Sequence, residues 1–209
     1  MNELTAAAVI DWLTALSKVY NEKKDYLTDL DRAIGDADHG ANMARGFTVV
    51  AEKISPLADK DIGTIFKTVA MTLISTVGGA SGPLYGSFFL QAAGVTNGKT
   101  GLNAGEAGTM LEAGLKGVVA RGKAAVGDKT MIDAMTPAVA AFQAAAGEGL
   151  SSAADKARQA ARAGADSTTP LVAKKGRASY LGERSAGHLD PGSESTALLF
   201  QTLYDIVVK

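Results

Sequence analysis

The stretch Ala153-Ala154-Asp155-Lys156-Ala157-Arg158-Gln159-Ala160-Ala161-Arg162-Ala163-Gly164-Ala165 is dominated by alanine, with charged and amide side chains between. Alanine loses no side-chain entropy in a helix, and Arg, Lys and Gln follow it closely. A helix is the only sensible reading. The same period recurs along the chain. Ile62, Ile65, Phe66, Val69 and Leu73 follow the i, i+3, i+4 rule, as do Met131, Met135, Val139 and Phe142, and Leu199, Leu203 and Ile206. Val9, Leu13 and Leu16 mark one face of the first segment, with Trp12 and Val19 beside it. Start signals agree. Asn103 with Glu106 forms a capping box, Thr130 precedes a run with Asp133, and Ser151 opens the alanine-rich stretch. Eight helices are predicted, near 3–22, 40–54, 61–77, 83–96, 103–121, 130–147, 151–173 and 192–208. No β alternation is evident, so the class is all-α. Short connections favour antiparallel neighbours in a bundle or a ring. No repeat or second domain is visible in the 209 residues, and residues 1–209 read as one domain.

The longest connections carry the chemistry-bearing residues. Asp31-Arg32-Ala33-Ile34-Gly35-Asp36-Ala37-Asp38-His39-Gly40 crowds three carboxylates around glycines and ends beside a histidine. Asp36 and Asp38 flank a small Ala37, which in an extended segment sends both carboxylates to one side. Gly35 allows a sharp reversal that brings Asp31 back toward them. Oxygen-only ligands suit a hard cation, and magnesium commonly completes its octahedron with substrate phosphates. On spacing alone a solvated acidic turn is the competing reading. A calcium EF-hand is excluded, since Phe47 occupies the twelfth position, where a bidentate glutamate is needed.

Gly78-Gly79-Ala80-Ser81-Gly82 runs into a helix that Pro83 can start at its first position. Free N–H groups at a helix start attract anions, although a tight helix–helix turn explains the glycines equally well. Ala93-Gly94-Val95-Thr96-Asn97-Gly98-Lys99-Thr100 imitates a P-loop. It lacks the first glycine and the strand bearing a second metal-binding aspartate, and reads as a surface turn. Gly176 through Gly192 holds Arg177, Arg184, His188 and Asp190, the last before a proline-initiated helix. The planar fork of Arg177 suits phosphate oxygens, with a structural ion pair as the alternative.

A net charge of −1 offers no field for nucleic acid or anionic lipid, though Lys174, Lys175, Arg177 and Arg184 concentrate basic charge late in the chain. Cysteine is absent, which removes disulfides, thiolate metal sites and a cysteine nucleophile. No apolar run approaches the roughly 20 residues of a membrane span, and Met1-Asn2-Glu3-Leu4 lacks the pattern of a signal peptide. A soluble cytoplasmic protein, with no membrane or nucleic-acid partner, is expected.

Four motifs together resemble the nucleotide-binding L subunit of phosphoenolpyruvate-dependent dihydroxyacetone kinases, a domain also found fused within ATP-dependent kinases. They are Gly35-Asp36-Ala37-Asp38-His39-Gly40-x-Asn42, Gly78 to Pro83, Arg121-Gly122-Lys123 with Gly127 to Met131, and Gly176 to Arg184. The resemblance runs from the first helix to the last. It implies a barrel of eight antiparallel helices with nucleotide and magnesium at one end. It further implies that Asp31, Asp36 and Asp38 hold two magnesium ions, and that His39, Asn42, Ala80 and Ser81 contact phosphates or ribose. Gly122, Met131, Arg177, Asp190, Pro191 and Gly192 would frame the rest, with Arg177 as the catalytic group. In such a system ADP stays bound as a coenzyme and a phosphohistidine-bearing subunit converts it to ATP. The phosphoryl group then passes to dihydroxyacetone on a K subunit.

Phosphoryl transfer asks a protein mainly for positioning and charge neutralisation. The chain carries residues for that and none that obviously bind a small ketose. Two other functions fit the same residues. One is a nucleotide-dependent regulatory module that signals to a transcription regulator. The other is the nucleotide domain of a fatty-acid kinase, where a further C-terminal region is expected beyond Lys209.

Overall fold

The computed structural model describes residues 1–209. Nine α-helices follow in order: α1 (Ala6–Glu22), α2 (Lys24–Ile34), α3 (His39–Ile54), α4 (Ile62–Thr76), α5 (Ser81–Thr96), α6 (Ala104–Gly122), α7 (Met131–Ala145), α8 (Leu150–Asp166) and α9 (Pro191–Val207). Short 3₁₀ turns cover Ser55–Leu57, Ala146–Glu148 and Arg177–Ser185. Eight of the helices pack as a closed ring in the order α1, α3, α4, α5, α6, α7, α8, α9 and back to α1. These are the eight expected. The ninth, α2, lies outside the ring against α3 and α9.

The ring closes around a continuous apolar core. Trp12, Phe47, Phe66, Phe88, Phe89, Phe142 and Phe200 are buried within it. Trp12 meets Phe66 edge-on at 6.5 Å, and its indole N–H donates to the Leu199 carbonyl at 3.1 Å. That bond and the Tyr20 hydroxyl on the Ser195 carbonyl, at 2.7 Å, tie α1 to α9. Truncating such an aromatic to alanine costs about 3–5 kcal/mol in a core that cannot collapse around the gap.

Side-chain caps set several helix starts. Both expected capping boxes form, at Asn103/Glu106 and at Thr130/Asp133. Several boundaries differ from expectation, and α1 begins at Ala6 rather than residue 3 because Leu4–Thr5 is extended. Helix α5 begins at Ser81, so Pro83 is its third residue, still within the first turn where a missing N–H costs nothing. Helix α8 begins at Leu150 after Gly149 and stops at Asp166, because the chain turns through Thr168 and Thr169 before Pro170. A two-residue antiparallel ladder, Leu4–Thr5 against Gly101–Leu102, closes one end of the ring. There the amino group of Met1 donates to the Val207 carbonyl at 3.1 Å. The Asn97–Thr100 turn also lies at that end, with the Thr100 carbonyl accepting from Ala6 N–H and the Lys99 carbonyl from Ile62 N–H. It is a surface turn, as its sequence implied. No helix is long and apolar enough to cross a membrane.

Candidate functional site

Antiparallel order around the ring has an electrostatic result. Helices α3, α5, α7 and α9 all begin at the end opposite the ladder, so four positive helix ends converge there. In three of the four helices a side chain takes one of the first N–H groups. Asp31 accepts from His39 N–H, Thr130 caps α7, and Asp190 caps α9 through Ser193 N–H at 2.7 Å. Helix α5 differs, because its capping residue is Ala80, which has no acceptor. The N–H groups of Ser81 and Gly82 therefore have no side-chain partner, and Pro83 contributes none.

The carboxylates meet at this same end. Ligand atoms of Asp31, Asp36 and Asp38 lie within 4.8 Å of one another. Asp31 is not in a loop but on the last turn of α2, buried, with its Oδ2 accepting from Asp38 N–H at 2.8 Å and His39 N–H at 3.1 Å. The route by which they gather differs from the expected one. Ala37 is left-handed, at φ 60°, rather than extended. For a residue with a Cβ this conformation is sparsely populated and persists only where neighbours impose it. Gly35 makes no left-handed turn, since its φ is −145°. It is required because a Cβ there would sit 2.0 Å from Asp31 Oδ1. Asp31 Oδ1 makes no hydrogen bond, so each of the three residues has oxygen to offer a hard cation, and magnesium fits this donor set. Arg177 Nε lies 2.9 Å from Asp36 Oδ2 and supplies the local counter-charge.

These groups line a cleft of about 530 Å³, which also takes in His39, Gly78, Gly79, Ala80, Ser81, Met131, Lys175, Arg177, Asp190, Pro191 and Gly192. A second hollow of about 350 Å³ adjoins it and shares Ala80, Leu84, Thr130, Met131, Lys175 and Gly176. Its other walls include Pro83, Val118, Arg121, Gly122 and Ala124. The polar, cation-ready half and the more apolar half thus form one elongated site. Asn42 is the one expected contact outside both linings. It is buried one turn into α3, and its Oδ1 accepts from the Arg45 guanidinium at 2.6 Å while backing Gly78.

Two groups were not singled out by sequence. Lys129 is buried, with φ 62°, and its ammonium donates to the carbonyls of Thr168 at 2.7 Å, Thr169 at 3.3 Å and His188. Burial lowers its pKa, while Asp190 and Asp133 oppose that change. The second group is the polar chain behind His39, formed by Ser195, Tyr85 and Thr196. Neither left a local signal, because their partners lie far away in sequence. Burial also sets the charge of two cleft residues. It pulls His39 down to about 4 against the raising effect of Asp31, so the imidazole is neutral. It pushes Asp190 up to about 7, against the Ser193 N–H and the charge on Lys129.

Hard oxygen ligands beside uncommitted helix-start N–H groups are what cation-assisted capture of a phosphorylated ligand requires, and fold and cleft together define a helical-ring protein of that class. The chain belongs to the DAK2 domain family, whose model matches residues 33–205. It is 48% identical over 202 residues to the ADP-binding subunit DhaL of the PEP-dependent dihydroxyacetone kinase of Escherichia coli, covering 96% of each chain. It is 44% identical to the ADP-binding subunit DhaL of the PTS-dependent dihydroxyacetone kinase of Lactococcus lactis, covering 98% of this chain and 99% of that one. Among solved structures it resembles the dihydroxyacetone kinase of C. freundii in its native form, with TM-score 0.74 and 27% identity. The match covers 95% of this chain, which spans about a third (34%) of that kinase. The same kinase in complex with AMP-PNP and Mg2+ matches with TM-score 0.67 and 28% identity.

Proposed function

We propose that the chain is the nucleotide-binding subunit of a phosphoenolpyruvate-dependent dihydroxyacetone kinase, acting as one domain in the cytoplasm. The observation that carries this reading is the placement of the Asp31–Asp36–Asp38 cluster beside the uncapped start of α5. One feature suits the cation and the other the phosphates of the same ligand. Asp31, Asp36 and Asp38 would hold two magnesium ions, which supply charge neutralisation to the phosphoryl oxygens when bound. The N–H groups of Ser81 and Gly82 hold phosphate oxygens. His39 and Ala80 shape that end of the cleft, and Asn42 acts from behind through Gly78. Met131, Gly122 and the Asp190–Gly192 corner frame the sugar and base.

Arg177 is the group at the cleft mouth able to follow charge as it develops during transfer. Its side chain is two-thirds exposed (67%), so it can leave Asp36 for a phosphate oxygen. Bound ADP acts as a coenzyme, recharged by a phosphohistidine-carrying subunit and discharged to dihydroxyacetone on a K subunit. The cleft is the only reactive centre this role needs.

The test is a reconstitution. Purified chain with Mg-ATP and dihydroxyacetone should form no dihydroxyacetone phosphate in sustained turnover. Adding a K subunit should permit a single discharge, and adding the phosphohistidine donor with its phosphoenolpyruvate-driven supply should restore turnover. Sustained product from the chain alone would overturn the subunit reading.

A further inference from the structure

The imidazole of His39 stands between the cleft and the body of the ring. Its Nδ1 lies 3.1 Å from Ser81 Oγ, on the cleft wall, and its Nε2 lies 3.0 Å from Ser195 Oγ in α9. Ser195 is fully buried and lines neither hollow. Its oxygen is 3.0 Å from the Gly192 carbonyl and 2.8 Å from the Tyr85 hydroxyl. The Tyr85 hydroxyl is also 3.1 Å from Thr196 Oγ1, which lies 2.9 Å from the same Gly192 carbonyl.

The protons of this network can be counted. Each hydroxyl has one proton to give, a carbonyl only accepts, and a neutral imidazole carries a proton on one nitrogen alone. The Gly192 carbonyl accepts the helical N–H of Thr196 and shares itself with the Ser195 and Thr196 hydroxyls, which back-bond to the preceding turn as helical Ser and Thr commonly do. The Tyr85 proton then goes to one of those two hydroxyl oxygens. With its own proton on the Gly192 carbonyl, Ser195 faces His39 as an acceptor and Nε2 carries the ring proton. Nδ1 is consequently bare and receives the Ser81 hydroxyl proton.

We infer that Ser195 is a positioning residue that fixes His39 in the Nε2–H tautomer and thereby turns the Ser81 hydroxyl proton inward. The Ser81 oxygen then faces the cleft as an acceptor only. Phosphate oxygens are left to the N–H groups of Ser81 and Gly82, and Ser81 Oγ pairs with an O–H donor of the ligand assembly. That second half rests on the nucleotide reading above. The tautomer does not.

The experiment has two arms. In the first, the full chain is labelled with 15N-histidine and examined by NMR without nucleotide or magnesium. The chain has two histidines, and His188 is exposed, so His188→Gln assigns both. The expected pattern is a pyrrole-type Nε2 and a pyridine-type Nδ1 for His39, which Ser195→Ala should convert to a tautomer mixture. In the second, calorimetry measures Mg-ADP affinity. Ser195→Ala should weaken it about fivefold to tenfold, as loss of one buried hydrogen bond does. In a Ser81→Ala background the same change should have little effect, because both act through one chain of bonds. A pyrrole-type Nδ1 in the parent protein, or an unchanged pattern in Ser195→Ala, would overturn the inference. So would equal losses of affinity in both backgrounds. Failure of every form to bind Mg-ADP would refute the nucleotide reading and leave the tautomer result standing.

Discussion

A methyl group at position 35 is the smallest change that reaches the carboxylate cluster. Gly35→Ala places a Cβ 2.0 Å from Asp31 Oδ1 and 3.0 Å from Asp31 Cγ. The carboxylate can escape only by rotating, and rotation breaks its bonds from Asp38 N–H at 2.8 Å and His39 N–H at 3.1 Å. Hydrogen bonds to an ionised acceptor contribute about 1.5–3 kcal/mol each. Stiffening of the unfolded chain returns about 0.4–1 kcal/mol. A net loss of about 2–6 kcal/mol follows, together with displacement of one carboxylate from the cluster. Gly94→Ala is the matched control. It lies within α5 with no heavy atom within 4 Å of the added Cβ, and should stabilise by about 0.5–1 kcal/mol. Urea unfolding followed by circular dichroism in EDTA reads the stability of both variants. Calorimetric titration with Mg-ADP reads the site. Parent-like Mg-ADP binding by Gly35→Ala would show that Asp31 is not a ligand, and parent-like stability would show that its two N–H bonds do not hold the connection in place.

Two further outcomes follow from cleft electrostatics. In metal-free, nucleotide-free protein His39 and Asp190 act in opposite directions over the same pH range. The His39 value is depressed from 6.5 to about 4, so its contribution is present above 6.5 and lost as pH falls through about 4. That gap is worth about 3 kcal/mol. The Asp190 value is raised from 3.8 to about 7, so its contribution is present below 3.8 and lost as pH rises through about 7, a gap worth about 4 kcal/mol. The two nearly cancel between pH 4 and 7. Denaturation at several pH values should show His39→Gln gaining stability on acidification and Asp190→Asn losing it, and parallel curves for both would contradict the assignment. Arg177→Ala should bind Mg2+ alone about twofold to fivefold more tightly, because it frees Asp36 from an exposed ion pair. The same variant should bind Mg-ADP more weakly, and titration with the metal alone separates the two effects.

Helices with their own caps were readable from sequence. Asn103/Glu106 and Thr130/Asp133 announce α6 and α7 within a residue or two, since capping is a local interaction. Helix α2 escaped for an instructive reason. It starts at Lys24 directly after α1 with no side-chain cap, and the residues it buries are Leu27, Asp31 and Ile34. The middle of that stripe is the carboxylate of the site, so the function erases the apolar period that would have revealed the helix. The overrun of α8 to residue 173 had a visible warning in Pro170. The three aspartates were found from composition and proximity, although Ala37 and Gly35 bring them together by geometry that no local rule anticipates. Lys129 and Ser195 were beyond reach. Lys129 meets its partners 39, 40 and 59 residues further along the chain, and Ser195 lies 156 residues from His39.

The contact of Met1 with Val207 puts both chain ends at the pole away from the cleft. A ring sewn shut at its rear can be tethered from either end without shading its mouth. The same body can therefore work as a free partner, presenting its cleft to one protein after another, or as a module on a leash beside a single partner. In the free form the frequency of exchange is set by collision. In the leashed form it is set by linker length, through the local concentration the tether imposes. Transfer between partners and transfer within one polypeptide then differ in reach rather than in chemistry.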